Sequence, residues 1–122
     1  MKLLIVDDST MLRDMLTYAL NEGGYSDVDE AVDGVEGLNK AKVTEYNLII
    51  SDVNMPNMDG LTMIEEVRKL PNYAKKPILV LTTERSEDIK AKGKAAGATG
   101  WIVKPFVPDK LLKAVNTVLS RS

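Results

Sequence analysis

Four short apolar runs in this chain each end on a polar residue able to do chemistry. Leu3-Leu4-Ile5-Val6 meets Asp7-Asp8, Leu48-Ile49-Ile50 passes through Ser51 into Asp52, Ile78-Leu79-Val80-Leu81 meets Thr82, and Trp101-Ile102-Val103 meets Lys104. Short runs rich in branched residues, without polar alternation, suit strands buried on both faces. If they are parallel strands of one sheet, three carboxylates, a hydroxyl and an ammonium arrive at a single sheet edge. Open α/β sheets bind their ligands at that edge.

The segments between the runs have helical period. Met11, Leu12, Met15, Leu16, Ala19 and Leu20 form one stripe, with Ser9 as N-cap and Gly23-Gly24 as the stop. Val35 and Leu38 suggest a second, weaker helix. Leu61, Ile64, Val67 and Leu70 give a third, with Asp59 as its cap and Pro71 as its end. Ser86 caps a fourth, rich in Lys and Ala, that stops near Gly97. Pro108 suits the first turn of a fifth, with Leu111, Leu112, Val115, Val118 and Leu119 on one face and Val107 as an unusual N-cap. The faintest strand lies around Asp27 to Ala31, where only Val28 and Ala31 are apolar, and a strand so polar fits a sheet edge. Strand and helix therefore alternate five times, which means a parallel sheet with right-handed crossovers and helices on both faces. The expectation is one domain over 1–122, with no output domain.

Composition narrows the chemistry. The chain has no Cys, which excludes disulfides and thiolate metal sites, and no His, which excludes imidazole ligands and imidazole acid–base catalysis. Its net charge of −2, with the two signs interspersed, argues against a nucleic-acid binder. No apolar stretch reaches the roughly 18 residues of a membrane span, and Met1-Lys2 leads straight into a strand with no room for a signal peptide. A cytoplasmic protein without membrane insertion is expected.

The strings LLIVDDS, DVNMPNMDG, LTTE and GWIVKPF, in this order and at these intervals, resemble the receiver domain of two-component response regulators, over essentially the whole chain. With no output domain expected, the resemblance is to the single-domain chemotaxis type. It implies a three-layer, flavodoxin-like (βα)5 doubly wound sheet of five parallel strands in the order 2-1-3-4-5. That order comes from the family and not from the pattern.

The resemblance also assigns roles. Asp52 is the phosphoacceptor, a carboxylate being already ionised at neutral pH. Mg²⁺ is held by Asp8, Asp52 and the backbone carbonyl of Asn54, with Asp7 acting through water. A hard divalent cation relieves the mutual repulsion of three carboxylates. Lys104 and Thr82 neutralise and read the phosphoryl oxygens, and the Lys104-Pro105 bond is cis in the family. Thr82 and Trp101 form the switch. The indole is larger than the Tyr or Phe more usual there, and a buried indole must satisfy its N–H. Asn54, Thr83 and Glu84 flank the site where hydrolysis is tuned, and Thr83 is bulkier than the usual Ala or Gly. Lys90, Lys94, Trp101, Lys110 and Lys113, with Lys92 nearby, mark the output face. A basic, aromatic-bearing patch suits a short acidic-hydrophobic segment, although a lysine-rich helix face is also ordinarily just solvated.

The partners so implied are a sensor histidine kinase as donor and the flagellar motor switch as target, with the chain itself a monomer and a signalling protein, not an enzyme. A phosphorelay intermediate or phosphate sink would carry the same residues. An aspartyl-phosphate phosphohydrolase usually has a second Asp two residues after its nucleophile, where this chain has Asn54. A flavodoxin-type flavin binder would place a flavin phosphate against Asp7-Asp8, which would repel it.

Overall fold

The computed structural model describes residues 1–84 and 86–121. The elements run β1 (Lys2–Val6), α1 (Thr10–Glu22), β2 (Asp27–Ala31), α2 (Gly34–Val43), β3 (Leu48–Asp52), α3 (Gly60–Arg68), β4 (Ile78–Thr82), α4 (Glu87–Ala96), β5 (Gly100–Val103) and α5 (Pro108–Ser120). The strands form one parallel sheet in the order β2-β1-β3-β4-β5. The fold expected from the sequence is therefore the fold found, with the polar strand β2 at an edge.

The continuous apolar runs serve both faces because successive side chains point to opposite sides. Leu3, Ile5, Leu48, Ile50, Leu79 and Leu81 meet Leu16 and Leu20 of α1 and Leu111 and Val115 of α5. Their neighbours Leu4, Val6, Ile49, Ile78 and Val80 meet Leu38 of α2, Met63, Ile64 and Val67 of α3, and Ala96 of α4. Two cores thus flank one sheet, and a strand polar on either face could not sit at its centre.

Helix ends follow their caps. Ser9, Asp59 and Ser86 each accept from a backbone N–H three residues on, at 3.2, 2.8 and 3.3 Å. Val107 precedes α5 with no side-chain cap. Pro108 at the first helical position removes one of the N–H groups that a helix start leaves unpaired, and its fixed φ suits the first turn. Gly97 ends α4 in the left-handed region at φ 111°, which favours glycine.

The helix faces differ from the sequence reading in three places. Met11 and Met15, read as part of the apolar stripe of α1, are 72% and 51% exposed. Six residues spread over too wide an arc, and only the part carrying Leu12, Leu16, Ala19 and Leu20 faces the sheet. Val35 is exposed too. The buried line of α2 is Gly34, Gly37, Leu38 and Ala41, where glycines let the helix approach β1 and α3 closely. Helix α3 ends at Arg68, before Leu70, which packs from the turn that follows.

One close approach fixes where the site sits relative to α3. The Gly60 N–H donates to the Val53 carbonyl at 2.8 Å, and a Cβ at Gly60 would lie 1.9 Å from the Asp52 carbonyl oxygen. Backbone cannot yield as a flexible side chain can. Gly60→Ala is expected to destabilise by about 1–3 kcal/mol, seen as a lower urea midpoint at unchanged slope. An unshifted midpoint would show that β3 and α3 separate freely.

Candidate functional site

Strand register brings the polar strand ends together. Val6 pairs with Ser51, Asp52 with Leu81, and Thr82 with Val103. Asp7 and Lys104 are the next residues beyond β1 and β5. The Asp7 N–H donates to the Ala31 carbonyl at 3.1 Å and the Lys104 N–H to the Thr82 carbonyl at 2.8 Å, so both ladders continue one residue past the strands. The edge inferred from the sequence is therefore a single site.

Carboxylate oxygens of Asp7, Asp8 and Asp52 all lie within 4.8 Å of one another. Asp7 is 1% exposed and Asp52 8%, whereas Asp8 faces solvent. The Lys104 ammonium reaches in from the far side of the sheet, 3.2 Å from Asp7 Oδ2 and 3.3 Å from Asp52 Oδ2. The Lys104-Pro105 bond that follows is cis. Other oxygens are held by backbone: Asp7 Oδ1 accepts from Ser9 N–H at 2.9 Å, and Asp52 Oδ1 from Val53 N–H at 2.8 Å. Thr82 is buried and its Oγ1 accepts from Glu84 N–H at 3.1 Å, which leaves its hydroxyl proton free to be donated. Asn54, Thr83 and Glu84 are exposed on the two loops beside Asp52 and Thr82.

Burial pushes the Asp52 carboxyl above the ordinary carboxylate range. Lys104 opposes that rise and Asp7 adds to it. Burial outweighing an ion pair at 3.3 Å means that the site is short of positive charge. The donor set, three hard carboxylate oxygens with one carboxylate open to solvent, fits a hard divalent cation better than a soft one.

Trp101 lies on β5 opposite Val80 and packs with the core on the α3–α4 side. Thr82, two residues after Val80, points to the same face by alternation. The Trp101 Nε1 is buried, with no hydrogen-bond partner among the described residues. Lys90 and Lys94 line a groove of about 240 Å³ on one side of the indole, and Lys110 lines one of about 490 Å³ on the other. Lys113 is exposed on α5 but lines neither groove, and Lys92 likewise.

Three contributors were not foreseen from the sequence. Arg13 donates to the Asp7 carbonyl at 2.6 Å and to Glu30 at 3.0 Å, tying the Asp7-Asp8 turn to the edge strand. Asp33 caps α2 and accepts from Asn57 Nδ2 at 2.7 Å, while Gly34 N–H donates to the Met58 carbonyl at 3.1 Å. These bonds hold the β3–α3 loop, which carries Asn54, and Asn57 takes a left-handed φ of 67° there. These hydrogen bonds keep the Asp33 carboxyl below its usual range, the Glu36 backbone N–H contributing most and Asn57 next. The string Asp33-Gly34-Val35-Glu36 is a legible cap signature, whereas nothing local marks Arg13.

The charge deficit predicts a pH-dependent gain from neutralising Asp52. A carboxyl whose folded pKa is raised costs no stability below its unfolded value. The cost appears as pH rises through the window from the unfolded to the folded pKa, and it persists above. Asp52→Asn should therefore raise Tm at pH 7 and lose that gain near pH 3, as read by thermal unfolding. A lower Tm at pH 7 would mean that the Lys104 ion pair outweighs burial.

Comparison with known proteins agrees with this geometry. Residues 3–116 match the model of the response regulator receiver domain. The chain is 38% identical to the chemotaxis protein CheY1 of Helicobacter pylori over 98% of its own length and 97% of that protein's. It is also 38% identical to a CheY homologue of Campylobacter jejuni, over 98% and 92%. Its fold superposes on the chemotaxis response regulator CheY4 of Vibrio cholerae with a TM-score of 0.91 at 50% identity, covering 96% of this chain and 97% of that one. With an acidic edge, a facing lysine and a strand-end threonine set out by the same order of strands, the chain belongs to the response regulator receiver domain family.

Proposed function

We propose that this chain is a phosphorylation-activated chemotaxis regulator that accepts a phosphoryl group on Asp52 from a phosphohistidine of a sensor kinase. The observation that carries the reading is Asp52 itself. It is a mostly buried carboxylate, ion-paired to Lys104, clustered with Asp7 and Asp8, and one strand away from the hydroxyl of Thr82. The donor histidine must come from the partner, since this chain has none.

In the transfer, an Asp52 carboxylate oxygen attacks phosphorus. The phosphorus–nitrogen bond to the donor imidazole breaks, its electron pair stays with the imidazole, and an acyl phosphate remains on Asp52. Charge on the equatorial oxygens must be met by fixed positive groups, because positioning and electrostatics supply most of the catalysis. Lys104 meets one oxygen and the Thr82 hydroxyl another. Asp8, Asp52 and the Asn54 carbonyl, supported by Asp7, would hold a Mg²⁺ ion, which would supply the remaining counter-charge. Asn54, Thr83 and Glu84 line the approach of the hydrolytic water.

Drawing the Thr82 hydroxyl toward the phosphoryl group changes the packing on the face it shares with Trp101. The indole and the lysines beside it, Lys90, Lys94 and Lys110, with Lys113 farther along α5, then present an altered surface to an acidic-hydrophobic segment of the flagellar motor switch. Reversing an equilibrium from 1:99 to 99:1 takes about 5.5 kcal/mol, and a group adding about −1.5 to −2 charge opposite Lys104 contributes to it. We place this signalling in the cytoplasm, with the chain a monomer and a signal carrier, not a turnover enzyme.

Incubation with radiolabelled phosphorylated kinase domain and Mg²⁺ should label the wild type and leave Asp52→Asn unlabelled. Equal labelling of the two would refute the assignment. Lys104→Ala should still accept label, because Asp52 remains, but should lose the activation-dependent change in fluorescence of Trp101, the only tryptophan. A full response in that variant would remove Lys104 from the reading step. Capture of the activated chain by a motor-switch peptide, against capture by a histidine phosphotransfer domain, separates a motor regulator from a relay or sink.

A further inference from the structure

We infer that Gly93 of α4 is the seat of Trp101, and that the volume at position 93 sets how the indole divides between lying under α4 and standing away from it. This deepens the reading of Trp101 as a switch and rests on it for its signalling consequence, but the seat itself is a matter of packing.

Gly93 is buried inside a lysine- and alanine-rich helix, a place where propensity alone favours alanine. A Cβ built there lies 2.7 Å from Trp101 Cζ3 and 3.4 Å from Cε3. The six-membered ring therefore lies directly over the backbone of α4, in space that any side chain would fill. The fit comes with a defect. Trp101 Nε1 is buried without a partner among the described residues, and an unpaired buried donor disfavours the state that contains it. The seat holds the ring by contact while the orphaned N–H opposes it, so the docked position is only weakly preferred and a small change at either end moves it. Among the described residues no carboxylate lines the groove beside the ring, which is formed with Lys90, Lys94, Ala98, Thr99 and Gly100. Position 93 thus accommodates this chain's large aromatic, and it lies on a helix that carries no residue of the acidic cluster.

The test is acrylamide quenching of the single tryptophan in Gly93→Ala without phosphodonor, together with thermal unfolding and phosphoacceptance by Asp52. The expected result is a quenching constant at least twofold higher than wild type, red-shifted emission, no gain in Tm, and unchanged labelling of Asp52. In a Trp101→Phe background, where the smaller ring leaves room, Gly93→Ala should raise Tm as an ordinary helix substitution does. Wild-type quenching together with a higher Tm in the Trp101 background would overturn the seat. Absence of Asp52 labelling in the wild type would instead overturn the receiver function and leave the quenching comparison intact.

Discussion

Lys104 is the group on which the functional end of this molecule depends. Its ammonium stands 3.2 Å from one buried carboxylate and 3.3 Å from another, with a third nearby and, among the described residues, no second ammonium in contact. A chain that gathered Asp7, Asp8 and Asp52 without it would meet carboxylate repulsion in a poorly hydrated place. With it, the repulsion is reduced and not abolished, because burial still raises the Asp52 pKa. The proposed cation would relieve that incomplete balance, and with the cation in place the site would tolerate a phosphoryl group.

The surrounding structure holds that arrangement at fixed spacing. Parallel register decides which residues are level across the sheet, and it brings the last residues of β3 and β4, Asp52 and Thr82, beside those just beyond β1 and β5, Asp7 and Lys104. Arg13 anchors the first turn by the Asp7 carbonyl, and the Asp33–Asn57 contact anchors the loop after Asp52. Away from the site, the half-buried Arg68 guanidinium donates to the carbonyls of Tyr73, Lys76 and Gly97 at 2.6 to 3.0 Å. It thereby joins the loop before β4 to the end of α4. The helix that seats Trp101 is thus fastened at its C-terminal end, while its N-terminal end lies near Thr82.

What the sequence made legible was local or periodic. Strand ends, the caps at Ser9, Asp59 and Ser86, and the N-terminal Pro108 all rest on neighbouring residues, and the polar β2 announced itself as an edge. The acidic cluster was legible because each of its members ends an apolar run. The long-range partners were not: Arg13 with Glu30, Asn57 with Asp33 and Arg68 with Gly97 are surface-type residues whose pairing exists only after the chain has folded. Periodicity also overstated the buried arc of α1, since it reports apolar residues without saying which of them the sheet reaches. For Trp101, size alone flagged a conflict, but the glycine that accommodates it lies on another element and carries no signal of its own.

The central claim is that Asp7, Asp8 and Asp52 form a charge-deficient site completed by a divalent cation. Thermal unfolding of the wild type across a Mg²⁺ titration, at constant ionic strength, tests it most directly. The account predicts that Tm climbs with Mg²⁺ as specific binding to the folded state requires, and that Asp8→Ala, which removes the exposed ligand, flattens the curve. A wild-type Tm that ignores millimolar Mg²⁺, or an Asp8→Ala curve that matches the wild type, would contradict it.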